Sequence, residues 1–370
     1  MTVIYKVLNN LDSIKEISCC WDNLAEESPH KSPVLSHAWL SVFFECRISV
    51  DQKWFVVVAY INDTVVGILP VVSTSKRLLG LTYKVLSLPG DDHTISVDML
   101  VKVGLEEQVS LGLIDKAFSH EPRSRSFFFH RVDSCSNSYT YNVNKSFVIS
   151  QFCEDGAFIT SPENISDFRA GLTRNFRLNI NKANNKFIKM NGANFYVNEN
   201  HSDTKNNMDK IIAVESSGWK GEANTAIASA IGTEMFYRKL ADSLAAKGWL
   251  SCHFLEAEEK ILAANFSIKF SHSMLIWKTS YNDKYKKISP GGLIMDYLVE
   301  YSSHHLDIDR IDAMSNDEWH KKWNMSYRAF NNYWVYKKTI VGFIFMMCQK
   351  IKLMLKGSEV LRGIKNRFFS

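Results

Sequence analysis

The stretch YNDKYKKISPGGLIMDYLVE, residues 281–300, decides the fold because it joins a strand pattern to a helix pattern through a glycine loop. Residues 273–279 before it, SMLIWKT, are apolar, aromatic and β-branched, which predicts a strand inside a sheet. After Gly292, apolar residues recur at helical spacing. We therefore expect a strand, a loop and a helix in direct succession.

The loop between them has the composition of an anion site. Pro290 favours a helix start, and Gly291 and Gly292 would let backbone amides approach a ligand at the positive end of the helix dipole. Three lysines just upstream add positive charge (Lys284, Lys286 and Lys287). A turn capped by Ser289 explains the same residues equally well. Neither a P-loop lysine nor a dinucleotide fingerprint is present.

The composition is that of a soluble globular protein. A length of 370 residues predicts two domains, and 46% of the residues are hydrophobic while 22% are charged. The first residues, MTVIYKVLNNLD, lack a basic flank and an apolar core, so we expect no secretory signal. The seven cysteines show no metal-type spacing, which predicts a reducing, cytoplasmic compartment and no metal site.

Positive charge is concentrated at the C-terminal end. Residues 337–370 contain eight Lys or Arg and one acid, a net charge of +7, whereas the whole chain carries +5, so the first 336 residues carry −2. This distribution argues against DNA or non-specific nucleic-acid binding by the body of the protein.

A strand, helices, a hairpin, a strand, a helix and a strand recur in both halves, which predicts two copies of one α/β unit. The first hairpin joins residues 54–61 to 65–72 through Asn62-Asp63, and Pro70 predicts an edge position or a bulge. A strand over 95–101 precedes a helix with one glycine, Gly104, so a phosphate site is expected only in the second half.

Residues 161–192 predict one helix with an apolar stripe on one side, formed by Phe168, Leu172, Phe176 and Ile180, and basic residues on the other. Its six bases are Arg169, Arg174, Arg177, Lys182, Lys186 and Lys189. The basic side is either a solvated face or a wall for an anionic donor or acceptor.

The segment 339–356, TIVGFIFMMCQKIKLMLK, predicts an amphipathic helix that is too short to cross a bilayer. Its apolar positions are Ile340, Ile344, Met347, Ile351 and Met354 or Leu355. Either it lies in the interface of an anionic membrane, or it docks on its own core or on a second subunit.

Several short motifs, through their order and spacing, resemble known enzymes. They are Ser217-Gly218-Trp219-Lys220, Phe236-Tyr237, Ser289-Pro290-Gly291-Gly292, Asp312 and the stretch EWHKKW at 318–323. Together they are similar to the tandem acyl-CoA N-acyltransferases of the GNAT superfamily, in the group commonly found beside genes for cellulose and other exopolysaccharides. The likeness covers residues 21–336, although the glycine loop lacks the first glycine of the superfamily pattern.

The resemblance implies an α/β (α+β) fold of two tandem GNAT-like domains, with mixed central sheets flanked by helices. Residues 1–160 would form a first domain without a donor loop, 161–338 a second domain with an acyl-CoA site, and 339–370 a basic amphipathic tail. The reaction would be direct attack of an amine on acyl-CoA, most simply acetyl-CoA. The acceptor would be a small molecule or a saccharide precursor in surface polysaccharide biosynthesis, at the inner membrane.

The site residues follow from the same interpretation. The candidate general bases are Asp312, Glu215 and His93. The expected donor contacts are Lys278, Lys286, Lys287, Ser289, Gly291, Gly292 and Leu293. The expected acceptor contacts are Asp91, Asp92, Trp219, Lys220, Tyr237, Lys321 and Trp323. Structural roles compete for several of them, since Asp312 could hold a basic side chain and the aromatic residues could be core.

Two other functions remain open at this point. Similar double-domain proteins take an aminoacyl group from tRNA in place of acyl-CoA, which would give the basic helix a polyanionic partner. A non-catalytic scaffold of a polysaccharide-assembly complex would keep the fold without the site.

Overall fold

The computed structural model describes residues 2–78, 81–136, 147–217 and 227–357. The chain forms two compact units: unit 1 contains residues 1–14, 48–153 and 330–370, and unit 2 contains residues 15–47 and 154–329. The predicted domain boundary after residue 160 lies close to the passage from unit 1 to unit 2 after Cys153. Residues 15–47 and 330–338, however, belong to the unit opposite to the predicted one.

The sheet of unit 1 is mixed. Its strands lie in the order β1-β2-β3-β4-β6-β13, and β4 pairs with β6 in parallel while the other neighbours are antiparallel. These strands are β1 Ile4–Leu8, β2 Lys53–Ile61, β3 Thr64–Leu78, β4 Leu81–Ser87, β6 Ser124–Asp133 and β13 Ser326–Tyr336. Helices α1 Leu11–Lys15 and α4 Glu106–His120 accompany them.

The predicted hairpin in unit 1 is confirmed. Asn62 and Asp63 both have positive φ angles, 47° and 60°, as a two-residue turn between right-twisted strands requires. Pro70 pairs with Val56 of β2. On its other side β3 pairs with β5, Leu100–Val101, only at residues 67 and 68, and with β4 only from Val72 onward. Pro70 therefore lies at a local edge, where its missing N–H costs no ladder hydrogen bond.

Unit 2 also has a mixed sheet, in the order β7-β12-β11-β10-β9-β8. The strands are β7 Phe147–Thr160, β8 Asn194–Asn198, β9 Leu250–Ala257, β10 Lys260–Phe270, β11 Ser273–Tyr281 and β12 Arg310–Asp312. The helices are α2 Ser18–Glu27, α3 His37–Cys46, α5 Ile165–Gly171, α6 Arg174–Phe187, α7 Thr204–Ser216, α8 Ile231–Ala245 and α9 Pro290–Ser303.

Helix α3 belongs to unit 2 because its apolar face is buried there. Trp39 and Leu40 are fully buried, and Ser243 of α8 donates to the carbonyl of Ala38 over 2.7 Å. Ser36 caps the helix by accepting from the amide of Trp39. Long-range packing of this kind places residues 15–47 with the second half of the chain, which local sequence patterns do not reveal.

The predicted single helix over 161–192 is wrong in its continuity. The chain is extended at Leu172 and Thr173, with ψ angles of 153° and 141°, so α5 and α6 are separate helices. The predicted apolar stripe does pack inward: Leu172 and Ile180 are buried, and Phe168 and Phe176 pack against the same hydrophobic cluster. Ala183 and Phe187 extend the buried face of α6. The basic residues Arg174, Lys182 and Lys186 of α6 are exposed.

The predicted repeat is confirmed by topology. In each unit an antiparallel meander (β2-β3-β4 or β9-β10-β11) leads through a helix (α4 or α9) to a strand that pairs in parallel with the last meander strand (β6 or β12). The predicted strand over 95–101 is wrong, because only Leu100–Val101 are strand and the meander strand before α4 is β4.

The C-terminal helix α10 spans Ile340–Gly357 and packs on unit 1. Met346 is buried beside Ile149 and Tyr336, and Phe345 lies 4.8 Å from the ring of Tyr83. Among the described residues, no helix has the length and apolarity that crossing a bilayer requires.

Candidate functional site

The central feature of unit 2 is a divergence between strands β11 and β12. The two run parallel, but only Ser273–Leu275 pair with Arg310–Asp312. From Ile276 onward, β11 continues to Tyr281 and, within the described part of the chain, pairs only with β10. A strand that parts from its parallel neighbour leaves backbone groups open to an extended ligand, which can bind as an added strand.

A β-bulge lies at the point of divergence. The register of β11 on β10 passes from Ile276 opposite Ser267 to Lys278 opposite Phe266, so Trp277 is the extra residue. The indole Nε1 of Trp277 is buried and has no hydrogen-bond partner among the described residues. Its ring meets that of Trp39 edge-on, with the centroids 4.7 Å apart. Bulges often re-aim side chains at functional sites, and here one presents an unused donor.

Trp277 and Trp39 were absent from the predicted site. Trp277 lies inside a continuous strand pattern, and the bulge depends on the pairing of β11 with β10, which the sequence of one strand does not contain. Trp39 comes from α3, which is distant from β11 in the sequence.

Two predicted site residues, Lys278 and Tyr237, come together beside the bulge. The Nζ atom of Lys278 lies 5.6 Å from the centroid of the Tyr237 ring, within the range of a cation–π contact. Tyr237 is fully buried in α8 and packs edge-on against Phe266 of β10. The aromatic ring thus holds a cationic group next to the point where β11 leaves β12.

The glycine loop forms the first turn of α9, as the sequence predicts. Ser289 has a φ angle of 47°, and its carbonyl accepts from the amides of Gly292 and Leu293 over 2.9 and 3.0 Å. A Cβ atom added at Gly291 would lie 3.2 Å from the ring of Tyr281, and one at Gly292 would lie 3.2 Å from Ile180. The space beside the Cα atom of each glycine is therefore filled by side chains of the same chain, and contact of their backbone amides with a donor stays a prediction.

The predicted basic surface around the loop is present. Lys286 and Lys287 lie in the 3₁₀ helix Asp283–Ile288 and are exposed, as is Ser289, whereas Leu293 is buried in the core. Helix α6 shares a hydrophobic cluster with this 3₁₀ helix through Ala183, Phe187 and Ile288. The two elements that carry these exposed lysines therefore pack against each other, and positive charge of this kind can attract an anion.

Asp312, the first candidate base, is held in an ion pair. Its Oδ2 atom lies 2.6 Å from Nη2 of Arg328, and its Oδ1 atom accepts from the amide of Met314 over 2.9 Å. Arg310 lies farther from the same carboxylate, at 3.8 Å. The geometry favours the structural alternative for Asp312, with Arg328 as the basic partner.

Glu215, the second candidate base, is buried at the end of α7. Its Oε2 atom accepts from the amide of Ile227 over 2.7 Å, which ties the helix to the 3₁₀ turn Ile227–Ser229. Two predicted acceptor contacts, Trp219 and Lys220, lie outside the described residues.

The remaining predicted acceptor contacts of unit 2 differ in exposure. Trp323 is 2% exposed and meets Phe176 edge-on at 5.0 Å, so core packing accounts for it. Lys321 is 61% exposed and pairs with Glu318 over 2.6 Å. Of these two residues, only Lys321 is open to a ligand from solvent.

His93, Asp91 and Asp92 belong to unit 1. Asp91 accepts from the amide of His93 over 2.8 Å, and Asp91 and Thr94 form a short antiparallel bridge. The turn lies in unit 1, and a contact of His93, Asp91 or Asp92 with the acceptor stays a prediction.

Comparison with known proteins agrees with this architecture. Residues 174–322 match the family model of the acetyltransferase (GNAT) domain. The fold is similar to the crystal structure of FemX, at 9% identity and a TM-score of 0.60, covering 90% of this chain and 97% of that chain. It is also similar to the C-terminal domain of a putative lysylphosphatidylglycerol synthetase from Agrobacterium fabrum, at 9% identity and a TM-score of 0.57. That similarity covers 90% of this chain and 95% of that chain.

A conserved protein of unknown function from Bacteroides thetaiotaomicron has 14% identity and a TM-score of 0.54, covering 91% of this chain and all of that chain. Curated proteins give no match. The family match spans the divergent strands, the bulge, the glycine loop and α9. The predicted mixed α/β fold with GNAT-like units is confirmed, and this chain carries a GNAT acetyltransferase domain and is an acyltransferase.

Proposed function

We propose that the protein transfers an acyl group from acyl-CoA to an amine. The observation that carries this proposal is the divergence of β11 from β12 at the Trp277 bulge, inside the matched domain. The pantetheine arm would pair with β11 beyond Leu275 as an added strand. Lys286, Lys287 and the loop over residues 289–292 at the start of α9 would contact the phosphates.

The chemistry needs positioning and one proton transfer. The amine nitrogen attacks the thioester carbonyl carbon, the C–S bond breaks, the CoA thiolate leaves, and the amine loses one proton as the amide forms. The buried indole N–H of Trp277 is a donor that could stabilise the oxyanion. Asp312, Glu215 and His93 remain the proposed bases, although the first two are already engaged in the contacts described above.

The acceptor that we propose is an amino group on a sugar or saccharide precursor in surface polysaccharide biosynthesis. This part rests on the motif resemblance. We also propose that the enzyme is cytoplasmic and associates peripherally with the inner membrane.

Thermal denaturation with acetyl-CoA, longer acyl-CoAs and free CoA tests donor binding. A ligand that binds only the native state at 100 times its Kd adds about 2.7 kcal/mol of stability, which raises the midpoint by several degrees. Lys286→Glu/Lys287→Glu should reduce the rise. The matched control Lys205→Glu/Lys260→Glu changes two exposed lysines of the same unit and should keep it. No response to any CoA in the unmodified protein would refute the proposal and favour a scaffold.

The basic surface of α6 favours aminoacyl transfer from tRNA as a second candidate. Arg174, Lys182, Lys186 and Lys189 are exposed, and helix α6 contains no acidic residue. The similarity to a putative lysylphosphatidylglycerol synthetase domain agrees with an aminoacyl group as the transferred unit. This candidate predicts that RNase abolishes the activity and that the affinity for tRNA falls steeply as the salt concentration rises. In Lys182→Gln/Lys186→Gln the affinity for tRNA should depend less on salt.

A further inference from the structure

Helix α10 has two apolar faces, and among the residues that the structure describes only one face is covered. Phe345, Met346 and Leu353 pack on unit 1. A second stripe, at spacings of three and four residues, points away from these contacts: Ile340, Ile344, Met347, Ile351 and Met354. Ile340 and Met354 at its ends are 83% and 73% exposed, and Ile344 and Ile351 are 53% and 52% exposed. The stripe is about 21 Å long at about 1.5 Å per residue.

The charges around the stripe have one sign. Lys350 and Lys352 lie on opposite sides of it when residues are placed about 100° apart around the helix, and Lys337 and Lys338 precede it. No acidic residue occurs between Lys337 and Ser358. A second copy docked on the same stripe about a two-fold axis would bring two basic helices together, which disfavours self-association. An anionic surface with an apolar interior complements both features.

We propose that α10 is an interfacial helix that lies on a bilayer of anionic phospholipids. The Ile340–Met354 stripe enters the boundary between headgroups and acyl chains, and Lys350 and Lys352 contact lipid phosphates. This inference rests on the proposed inner-membrane location, and it names the surface and the lipid class. It does not depend on the acyl donor or on the acceptor.

Co-sedimentation of the full chain with vesicles tests the inference. The protein should bind vesicles made of two parts phosphatidylcholine and one part phosphatidylglycerol, and it should not bind pure phosphatidylcholine. Ile344→Glu/Ile351→Glu should weaken partitioning at least tenfold. The control Val50→Glu/Val103→Glu changes two apolar residues of unit 1 that are 108% and 61% exposed, and it should bind like the unmodified protein.

Lys350→Gln/Lys352→Gln leaves the stripe intact and provides a second test. It should weaken binding to anionic vesicles about fivefold for each charge removed, and this difference should disappear at high salt. Failure of the unmodified chain to bind anionic vesicles would overturn the inference. So would equal binding by the stripe variant, or a dimer that the stripe variant converts to a monomer.

The response of the midpoint to acetyl-CoA is measured on the same samples. Vesicle binding without that response contradicts the proposed reaction and not the membrane surface. A midpoint response to acetyl-CoA without vesicle binding contradicts only the proposal that α10 binds a membrane.

Discussion

The guanidinium of Arg328 lies 2.6 Å from the carboxylate of Asp312, and the two side chains are only 9% and 5% exposed. Breaking a buried pair by removing one charge leaves the other uncompensated, which costs about 3 to 5 kcal/mol. Asp312→Asn should therefore lower the free energy of unfolding by that amount in urea denaturation. Glu318→Gln, which removes an exposed ion pair with Lys321, should change it little.

The same variant separates the two roles of Asp312. A structural carboxylate predicts that the stability loss accompanies any loss of kcat/KM, and that Asp312→Asn/Arg328→Met recovers part of the stability. A stable Asp312→Asn protein without activity would instead assign the carboxylate as the general base.

Arg169 fastens α5 to α9 with a fork of charged hydrogen bonds. Its Nε and Nη2 atoms donate to the two carboxylate oxygens of Asp296 over 3.1 and 2.6 Å, and Nη2 also donates to Glu300 over 2.8 Å. Burial alone lowers the pKa of Arg169, but its bonds to Asp296 and Glu300 outweigh burial and raise that pKa, so the group stays charged.

Arg169→Lys cannot reproduce the planar two-point contact, so we expect a loss of about 2 kcal/mol in urea unfolding. Lys239→Met breaks a more exposed ion pair, with Glu45, and should leave the unfolding midpoint nearly unchanged. Equal stability of Arg169→Lys and the unmodified protein would show that the fork contributes nothing measurable.

The contact between Lys278 and Tyr237 predicts a catalytic effect that exceeds its effect on stability. A cation–π contact contributes about 0.5 to 2 kcal/mol, so Lys278→Met should shift the unfolding free energy by no more than this. If the ammonium group positions a substrate beside the bulge, kcat/KM should fall at least tenfold, and Lys278→Arg should restore part of it. Lys260→Met on β10 is the matched control and should keep full activity.

Short-range patterns predicted the elements of this fold well. Asn62-Asp63 between two β-branched runs fixes a hairpin because the turn and its flanking strands are contiguous in the sequence. The strand, loop and helix succession around Pro290 is local for the same reason. Lys278 and Tyr237, both named through the family resemblance, lie together beside the bulge, while their contact with a substrate stays a prediction.

Features that depend on distant pairing could not be predicted. The Trp277 bulge exists only in the register between β10 and β11, and the assignment of residues 15–47 to unit 2 depends on packing against α8. Trp323 and the loop glycines show that a residue type alone does not distinguish a ligand contact from core packing. An aromatic ring or a glycine has the same sequence signature whether it faces a ligand or packs against Phe176, Tyr281 or Ile180.

His253 of β9 should make the stability of unit 2 depend on pH. The side chain is fully buried, and Nδ1 has no hydrogen-bond partner among the described residues, while Nε2 lies 3.3 Å from the hydroxyl of Ser251. Burial, with a smaller contribution from Lys269, lowers the pKa of His253 to about 3. The imidazole is therefore neutral in the native protein at any pH above that value.

The unfolded chain binds a proton at this histidine below pH 6.5, and the native state does not until about pH 3. Stability contributed by His253 is thus complete above pH 6.5 and is lost as the pH falls, by about 1.4 kcal/mol per pH unit. His253→Gln should reduce the slope of unfolding free energy between pH 6.5 and about pH 4 by that amount in urea titrations. His201→Gln, at an exposed position of the same unit, is the control for replacing a histidine. An unaltered slope in His253→Gln would mean that the imidazole can be protonated in the native protein.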